Sequence, residues 1–192
     1  WTEGMKNTVA NFIANNGNVL LITSYAMNYV CWYDDQRNSI SFSQNNKIAK
    51  IQSWKSYSSQ NIPENILGVS YRNGGTSKNT SYIVSDKNHP IMENITEDSI
   101  RVNGYMYTSP SIHWNGNQPS IKNKNFYQSE ILASNYTVKG KEKIKGIFLF
   151  QPDSTSGKII SLGTDNWCLK ENYEKTESIQ ILTENCINFL LR

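Results

Sequence analysis

The chain has 192 residues, of which 38% are hydrophobic and 18% charged, and its formal net charge is +3 at pH 7. This length suits one domain, and the small net charge argues against disorder, which combines low hydrophobicity with strong charge imbalance. The densest lysine run, residues 139–145, is interrupted by Gly140 and Glu142, which argues against a nucleic-acid-binding surface. No apolar stretch approaches the ~20 residues needed to cross a bilayer.

Cysteines and glycosylation sequons leave the compartment open. Cys31, Cys168 and Cys186 form no CxxC pair and have no histidine at zinc-finger spacing, which argues against structural zinc. A Cys168–Cys186 disulfide is one option, but Cys186 falls on the apolar face of a predicted helix, which favours a small core residue. Asn-x-Ser/Thr triplets occur at Asn79, Asn94 and Asn135. They suit a secreted glycoprotein and also arise by chance in an Asn-rich chain, so the protein is expected to be soluble, either secreted or cytoplasmic.

The first predicted elements are an amphipathic helix over residues 2–16 and a strand over residues 19–24. Thr2 suits the N-cap of the helix, and Gly17 suits a left-handed stop. The strand is a nearly continuous apolar run, which is typical of a strand covered on both faces. The apolar helix residues recur at i, i+4, i+7 and i+8 on one face: Met5, Val9, Phe12 and Ile13.

The middle of the chain carries weaker patterns. Residues 39–43 and 81–85 are strand candidates, and the Gly74-Gly75 pair predicts a turn. Short elements are further predicted over residues 89–95, entered through a proline, and over residues 126–134.

The C-terminal part predicts a hairpin followed by a closing helix. Residues 146–150 and 158–162 are apolar strands that flank a polar loop containing Pro152 and Gly157. The helix runs over residues 176–191, and its apolar face comprises Ile179, Leu182, Cys186 and Phe189.

Several stretches, in this order, resemble one known family. They are the helix start at Trp1, the strand start at Asn16-Gly17-Asn18, the triplet His89-Pro90-Ile91, residues 157–168 with their Trp-Cys ending, and residues 182–190. The pattern resembles the C-terminal domain of the N,N-dimethylformamidase large subunit and its relatives, within the class I glutamine amidotransferase-like, or ThuA-like, fold.

The resemblance implies an α/β fold of flavodoxin type. We expect an open, mostly parallel sheet with helices on both faces, and a C-terminal hairpin with a closing helix. Residues 1–192 are predicted to form one domain, the C-terminal part of a larger protein. Since the chain opens at Trp1 rather than at a methionine, the first strands of the family are expected upstream, and that upstream part is expected to be required.

The corner after the first strand is the predicted reactive site, because ligands of open α/β sheets sit beyond the carboxyl ends of the strands. Amidotransferases place a nucleophilic cysteine at this corner, whereas this chain has Ser24-Tyr25 there and Cys31 only later. Glutamine hydrolysis by a thiolate is therefore not expected. Ser24 needs an adjacent base to act as a nucleophile, and the histidines available are His89 and His113.

The resemblance also implies an iron-dependent amide hydrolase with tyrosine and glutamate ligands. Asn28-Tyr29 stands where the family has a tyrosine-tryptophan pair, and Gly104-Tyr105 is followed by methionine where the family has glutamate. A thioether does not replace a carboxylate at a hard iron site without changing its affinity and charge. The metal-ligand candidates are therefore Tyr29, Tyr105 and Glu130, and a degraded iron site is the alternative.

The resulting prediction is a formamidase-like domain, either a hydrolase of amide C–N bonds or a catalytically degenerate relative. Its catalytic candidates are Ser24, Tyr25 and Tyr29. Its substrate-binding candidates are Asn28, Trp32, Trp114 and Trp167. The alternative is a non-enzymatic ligand- or carbohydrate-binding module, since Trp114 lies in a His-Trp-Asn-Gly-Asn stretch suited to stacking and hydrogen-bonding a sugar. The expected partner is thus a small molecule or a glycan.

Overall fold

The structure is a computed structural model. It describes residues 2–22, 32–34, 39–41, 66–68, 70–115, 118–120, 126–134, 143–162 and 165–192. The helices in these ranges are α1 (Glu3–Ala14), α2 (Lys170–Tyr173) and α3 (Glu177–Leu191), with 3-10 turns at Pro90–Met92 and Asp165–Cys168. The strands are β1 (Val19–Leu21), β2 (Trp32–Asp34), β3 (Ser39–Ser41), β4 (Ser70–Val84), β5 (Ser99–Asn115), β6 (Gln118–Ser120), β7 (Gln128–Ser134), β8 (Lys143–Gln151) and β9 (Ile159–Ser161).

The described strands form a mixed sheet rather than the mostly parallel sheet that was predicted. Seven strands follow the order β1-β9-β8-β7-β4-β5-β6, and β5 also pairs with β8, so the sheet curls. Among these pairs β1 and β9 run parallel, and the others run antiparallel. The physical reason lies in the connections, because a short loop such as the one between β8 and β9 can join only antiparallel neighbours. The β2–β3 pair is separate and antiparallel.

Helices cover both faces of the sheet, as predicted. One face packs on α3 and forms a cluster that includes Ile160, Leu162, Ile179 and Leu182, which we call the α3 cluster. The other face packs on α1 and forms the α1 cluster of Ile13, Ile66, Leu67, Phe148, Phe150 and Ile159.

Strand β1 contacts both core clusters, as its apolar run predicts, but its residues are only partly buried, because β1 ends the described strand order and has β9 as its partner there. Leu20 and Ile22 pack against the α3 cluster, and Val19 and Leu21 pack against the α1 cluster. Successive side chains of a strand point to opposite faces, so an uninterrupted apolar run is what this position requires.

Helix α1 forms where predicted, but it buries a different face. Met5 and Phe12 are 46% and 55% exposed, whereas Lys6 and Ile13 are buried. Val9 packs partly against the α1 cluster. The inward stripe therefore runs through residues 6, 9–10 and 13, a rotation of the helix about its axis that the apolar pattern did not indicate.

Both ends of α1 are capped. The Thr2 hydroxyl accepts a hydrogen bond from the Met5 N–H at 3.1 Å, as predicted for an N-cap. At the other end the left-handed residue is Asn16, with φ of 64°, rather than Gly17. The Gly17 N–H donates to the Phe12 carbonyl at 2.8 Å, which completes the helix stop.

In the middle of the chain, β4 continues through Gly74 and Gly75, where a turn was predicted. Its register with β5 shifts between Asn73 and Ser77, so this stretch is an irregularity within a strand. Glycine inside a strand pattern commonly marks a bulge. The strand predicted over residues 81–85 is the end of β4, and the element predicted over residues 126–134 is β7.

The C-terminal prediction is confirmed. Strands β8 and β9 form the hairpin, and Thr176 is the N-cap residue of α3. Cys186 is buried in the α3 cluster and Cys168 is exposed, and both thiols are free, so the optional disulfide between them does not form. Burial raises the pKa of the Cys186 thiol to about 12, as expected for an inert core cysteine.

Candidate functional site

The parallel pair β1–β9 has two ends of different construction. We define the carboxyl edge by Leu21 and Ser161, which are register partners at the ends of the two strands, and the amino edge by Val19 and Ile159. Helix α1 leads into β1 through the short turn at residues 15–18, so it returns along the strands and its N-terminus lies toward the carboxyl edge. In α/β sheets this edge is where ligands bind.

A buried hydroxyl lies at the carboxyl edge. Ser161 ends β9 between Leu21 of β1 and Phe148 of β8, and both neighbours belong to the α1 side of the sheet. Ser161 is 0% exposed, and its Oγ has no hydrogen-bond partner within the described part of the chain. Buried hydroxyls are nearly always hydrogen-bonded, so this one needs an explanation.

A buried cation lies on the same side of the sheet. Lys6 belongs to the inward stripe of α1 and is 0% exposed. Lysine is almost never fully buried unless its ammonium is compensated. Lys6 and Ser161 are thus two buried polar residues on the side of the sheet that packs on α1.

On the opposite face near this edge, Trp167 is a core residue. It is buried in the α3 cluster, and its indole N–H donates to the Thr183 hydroxyl at 2.8 Å. Thr183 in turn donates to the Ile179 carbonyl at 2.7 Å. Trp167 therefore stabilises the fold, and its buried ring has no face open for the predicted substrate contact.

The remaining predicted residues are described in part or not at all. Ser24, Tyr25, Asn28 and Tyr29 lie outside the described residues. Three others are placed by their backbones: Trp32 in β2 opposite Ser41, Tyr105 in β5 opposite Lys78, and Trp114 in β5 opposite Pro119. Their roles stay predictions.

Glu130 is half-exposed in β7 and is held from two directions. Its Oε1 accepts from the Gln128 amide at 2.5 Å, and its Oε2 lies 3.3 Å from Nε2 of His89. Nδ1 of His89 accepts the Ile91 N–H at 3.2 Å, so in the neutral ring the proton is on Nε2 and points to Glu130. The His89 ring also packs against Phe189 at 5.6 Å. Both nitrogens of His89 are thus engaged, and the residue is not a free base.

Of the three predicted iron ligands, the structure describes the side chain of Glu130 only. A metal on Nε2 of the neighbouring His89 would require Nδ1 to carry the proton, yet Nδ1 faces an N–H donor. Within the described ranges, no group of three or more His, Cys, Asp and Glu side chains is arranged to hold a metal ion. The site of Tyr29, Tyr105 and Glu130 stays a prediction, and we derive no reaction step through iron.

The amino edge is joined by many hydrogen bonds. The Asn18 side chain donates to the Leu190 carbonyl and accepts from the Lys158 N–H at 2.7 Å. The Gly157 N–H donates to the Ile13 carbonyl at 2.8 Å. In the β8–β9 loop, Asp153 accepts hydrogen bonds from Thr155 and Ser156. These bonds fasten α1, α3 and the hairpin to one another.

Comparison with known proteins identifies the fold. No family model and no curated protein matches the chain. Among solved structures, a ThuA-like protein from Bacteroides uniformis aligns with 98% of this chain and 64% of its own, with a TM-score of 0.50 and 13% sequence identity. The chain has a ThuA-like fold.

At this identity the likeness concerns the fold alone. The amidotransferase-like part of the sequence prediction is thereby confirmed, and kinship with N,N-dimethylformamidase stays a prediction. The chain spans 64% of the length of its ThuA-like neighbour. No described helix is long and apolar enough to span a bilayer.

The sequence analysis does not predict that Lys6 and Ser161 are buried. Lys6 lies at helical spacing with Ala10 and Ile13, whereas the apolar pattern predicts a buried face through Met5, Val9 and Phe12. Ser161 interrupts a strand that is otherwise apolar. A single polar residue inside a buried period is the signal that could have identified both.

Proposed function

We propose that this ThuA-like domain hydrolyses an amide C–N bond at the carboxyl edge of β1 and β9. Water adds across the bond, so the acyl carbon becomes a carboxylic acid and the nitrogen leaves as an amine. The support comes from the ordered family motifs and from the position of Ser24 and Tyr25, three and four residues after β1 ends at Leu21.

One observation carries the proposal. The two strands of the parallel pair end together, with their register partners Leu21 and Ser161 at the same edge. In open α/β sheets, ligands bind beyond the carboxyl ends of parallel strands.

The proposed roles follow amide chemistry. Ser24 holds the water that attacks the carbonyl carbon, and the proton that this water loses passes to the leaving nitrogen as the C–N bond breaks. Tyr25 and Tyr29 supply phenolic hydroxyls that donate to the developing oxyanion. Asn28 and Trp32 orient the substrate. His89 is not the base in this proposal, because Ile91 and Glu130 occupy both of its nitrogens.

The test is the release of ammonia from formamide and acetamide, and of dimethylamine from N,N-dimethylformamide, by the purified protein. Ser24→Ala and Tyr29→Phe are each expected to lower kcat/KM at least 100-fold, because removing a catalytic hydroxyl or an oxyanion donor typically has an effect of this size. Glu130→Gln, remote from the corner in the chain, is expected to retain activity. Activity lost only in Glu130→Gln would contradict this assignment and favour the carboxylate-containing metal set.

Glycan binding is the rival outcome. A protein that releases neither ammonia nor dimethylamine from these amides, yet binds immobilised glycans and loses binding in Trp114→Ala, is a binding module. The iron content of the same samples is also measured. Stoichiometric iron in the wild type that is lost in Tyr29→Phe and Tyr105→Phe would favour an iron-dependent hydrolase.

A further inference from the structure

Strand β1 has one side without a partner strand. The Val19 N–H and the Leu21 carbonyl both bond residues that flank β9, at 2.9 Å each, so their backbone groups point toward β9. Because these groups alternate along a strand, the N–H and the carbonyl of Leu20 point away from β9. Within the described part of the chain, no strand pairs with this free side of β1.

Helix α1 presents an apolar flank at the free side. A Cβ on Gly17 would lie 2.4 Å from the Phe12 ring, so the ring packs on the turn that precedes β1. Ile13, the next residue of the helix, bonds Gly157, which precedes β9. The step from Ile13 to Phe12 therefore points from β9 toward β1 and beyond it. Met5 lies two turns from Phe12 on the same flank, and the two side chains are 46% and 55% exposed.

Helix α3 presents a second apolar flank on the opposite face of the sheet. Its Phe189 ring packs at 5.6 Å against His89, whose Nε2 lies 3.3 Å from Glu130 of β7. Phe189 thus faces in the direction of β7, three strands from β1 in the sheet order. Ile187 and Leu191 lie about 200° around the helix from Phe189, so they face the other way, toward β1. Both side chains are exposed.

The free side and the two flanks together form an uncharged apolar surface. We call it the β1 border, and it comprises Met5, Phe12, residues 19–22, Ile187 and Leu191. Residues 7–33 include no Lys, Arg, Asp or Glu. Edge strands that face water are normally protected by charged side chains, proline or a bulge, and residues 19–22 have none of these. Such an unprotected strand is a template for pairing with a strand of another chain.

We propose that the β1 border binds a second copy of this chain, with the two β1 strands antiparallel about a two-fold axis beside Leu20. The Leu20 N–H of each copy then donates to the Leu20 carbonyl of the other, which is the hydrogen-bonded pair of an antiparallel ladder. A two-fold interface brings the same patch from both subunits together, so one uncharged border meets an identical one. A charged partner would instead bury its charges against this border without compensation.

The spacing of the elements fits this dimer. Helix α1 lies over β1 and β9, and strands are about 4.8 Å apart, so the axis places the two α1 helices roughly 10 Å from each other. This distance is that of packed helices. From Phe12 to Met5 the helix rises by roughly 10 Å, and from Gly17 to Leu20 the strand advances by roughly 10 Å in the same direction. Met5 is therefore level with Leu20, and the two Met5 side chains meet close to the axis.

The first test is the mass of the full chain in solution, measured by sedimentation velocity over a range of concentrations. We expect a dimer, and Met5→Lys and Leu191→Lys should each weaken it about 100-fold, because the axis brings like charges together. Both changes are at exposed positions, so the circular dichroism spectrum should stay that of the folded chain. Tyr127→Lys, at a 68% exposed side chain beside β7, is the control and should stay dimeric.

The second test concerns the geometry of the pair. In a chain with Cys31→Ser and Cys168→Ser, Met5→Cys should form a disulfide-linked dimer with oxidised glutathione. Asn7→Cys, exposed on the opposite flank of α1, should stay unlinked.

Hydrogen exchange of the Leu20 amide completes the test. Exchange should slow as the protein concentration rises, because pairing with the second copy protects this N–H. A chain that is monomeric at every concentration would overturn the proposal, and a Leu20 amide protected in that monomer would show that another segment of the chain occupies the free side. A dimer that Met5→Lys leaves intact would place the interface elsewhere and would also overturn it.

Discussion

At the amino edge of the β1–β9 pair, Asn18 bonds both Lys158 and Leu190, and Gly157 is bonded to the end of α1. At the carboxyl edge of the same two strands, the hydroxyl of Ser161 is buried and has no hydrogen-bond partner among the described residues. Both edges belong to the same two strands, so the difference in hydrogen bonding comes from what packs against each edge. The comparison teaches that hydrogen bonds at the amino edge fix the helices and the hairpin, whereas the hydroxyl of Ser161 makes no such bond within the described residues. In α/β sheets the carboxyl ends of the strands are where ligands bind.

The largest test of this comparison is Gly157→Ala at the amino edge. A Cβ at this position would lie 2.0 Å from the Gly17 carbonyl oxygen, so two backbone segments must separate. We expect a loss of about 3 kcal/mol in the free energy of unfolding, measured in urea. Gly4→Ala is the control, because its nearest neighbour would be the Thr2 hydroxyl at 3.8 Å and alanine favours a helix by about 0.5–1 kcal/mol. Equal stability of the two variants would show that the amino edge is not tightly joined.

Asn18→Ala is expected to have the next largest effect. It removes the side chain that bonds the start of β9 and the C-terminal turn of α3, so the free energy of unfolding should fall by about 1–2 kcal/mol. Asn7→Ala, at an exposed position of α1, is the matched control and should change stability by less than about 0.5 kcal/mol. A neutral Asn18→Ala would mean that backbone pairing alone holds this edge.

The third prediction concerns the pH dependence of the free energy of unfolding, to which Asp153 in the β8–β9 loop contributes. Hydrogen bonds from the Ser156 and Thr155 side chains and from the Thr155 N–H lower the pKa of its carboxyl group from 3.8 to about 2. A lowered folded-state pKa contributes stability that is present above the unfolded value and is lost as the pH falls toward 2. Asp153→Asn should therefore reduce the difference in unfolding free energy between pH 6 and pH 2.5. Ser154→Ala, at an exposed loop residue, should leave that difference unchanged.

Ser161→Ala is expected to have the smallest effect on stability. An unpartnered buried hydroxyl contributes nothing favourable, so the free energy of unfolding should stay within about 0.5 kcal/mol or increase. The measurement is urea unfolding in chloride buffer without phosphate or carboxylate. A loss as large as that of Asn18→Ala would remove the contrast between the two edges, because it would give Ser161 a structural role.

Local patterns in the sequence determined much of this protein. The continuous apolar run of β1, the Thr2 cap, the β8–β9 hairpin and the apolar face of α3 were all predicted, because each depends on neighbours in the chain. The ordered motifs also led to the ThuA-like fold. Sequence reasoning placed the reactive corner after β1, and that assignment stays a prediction for experiment.

Only the tertiary structure decided which face α1 buries, that Asn16 rather than Gly17 takes the left-handed conformation, and that the sheet is mixed. It also buried Lys6 and Ser161, and it placed Trp167 in the core. These outcomes depend on contacts between residues far apart in the chain, and local periodicity carries no information about such partners. The physical reason is that packing selects among faces that the local pattern permits.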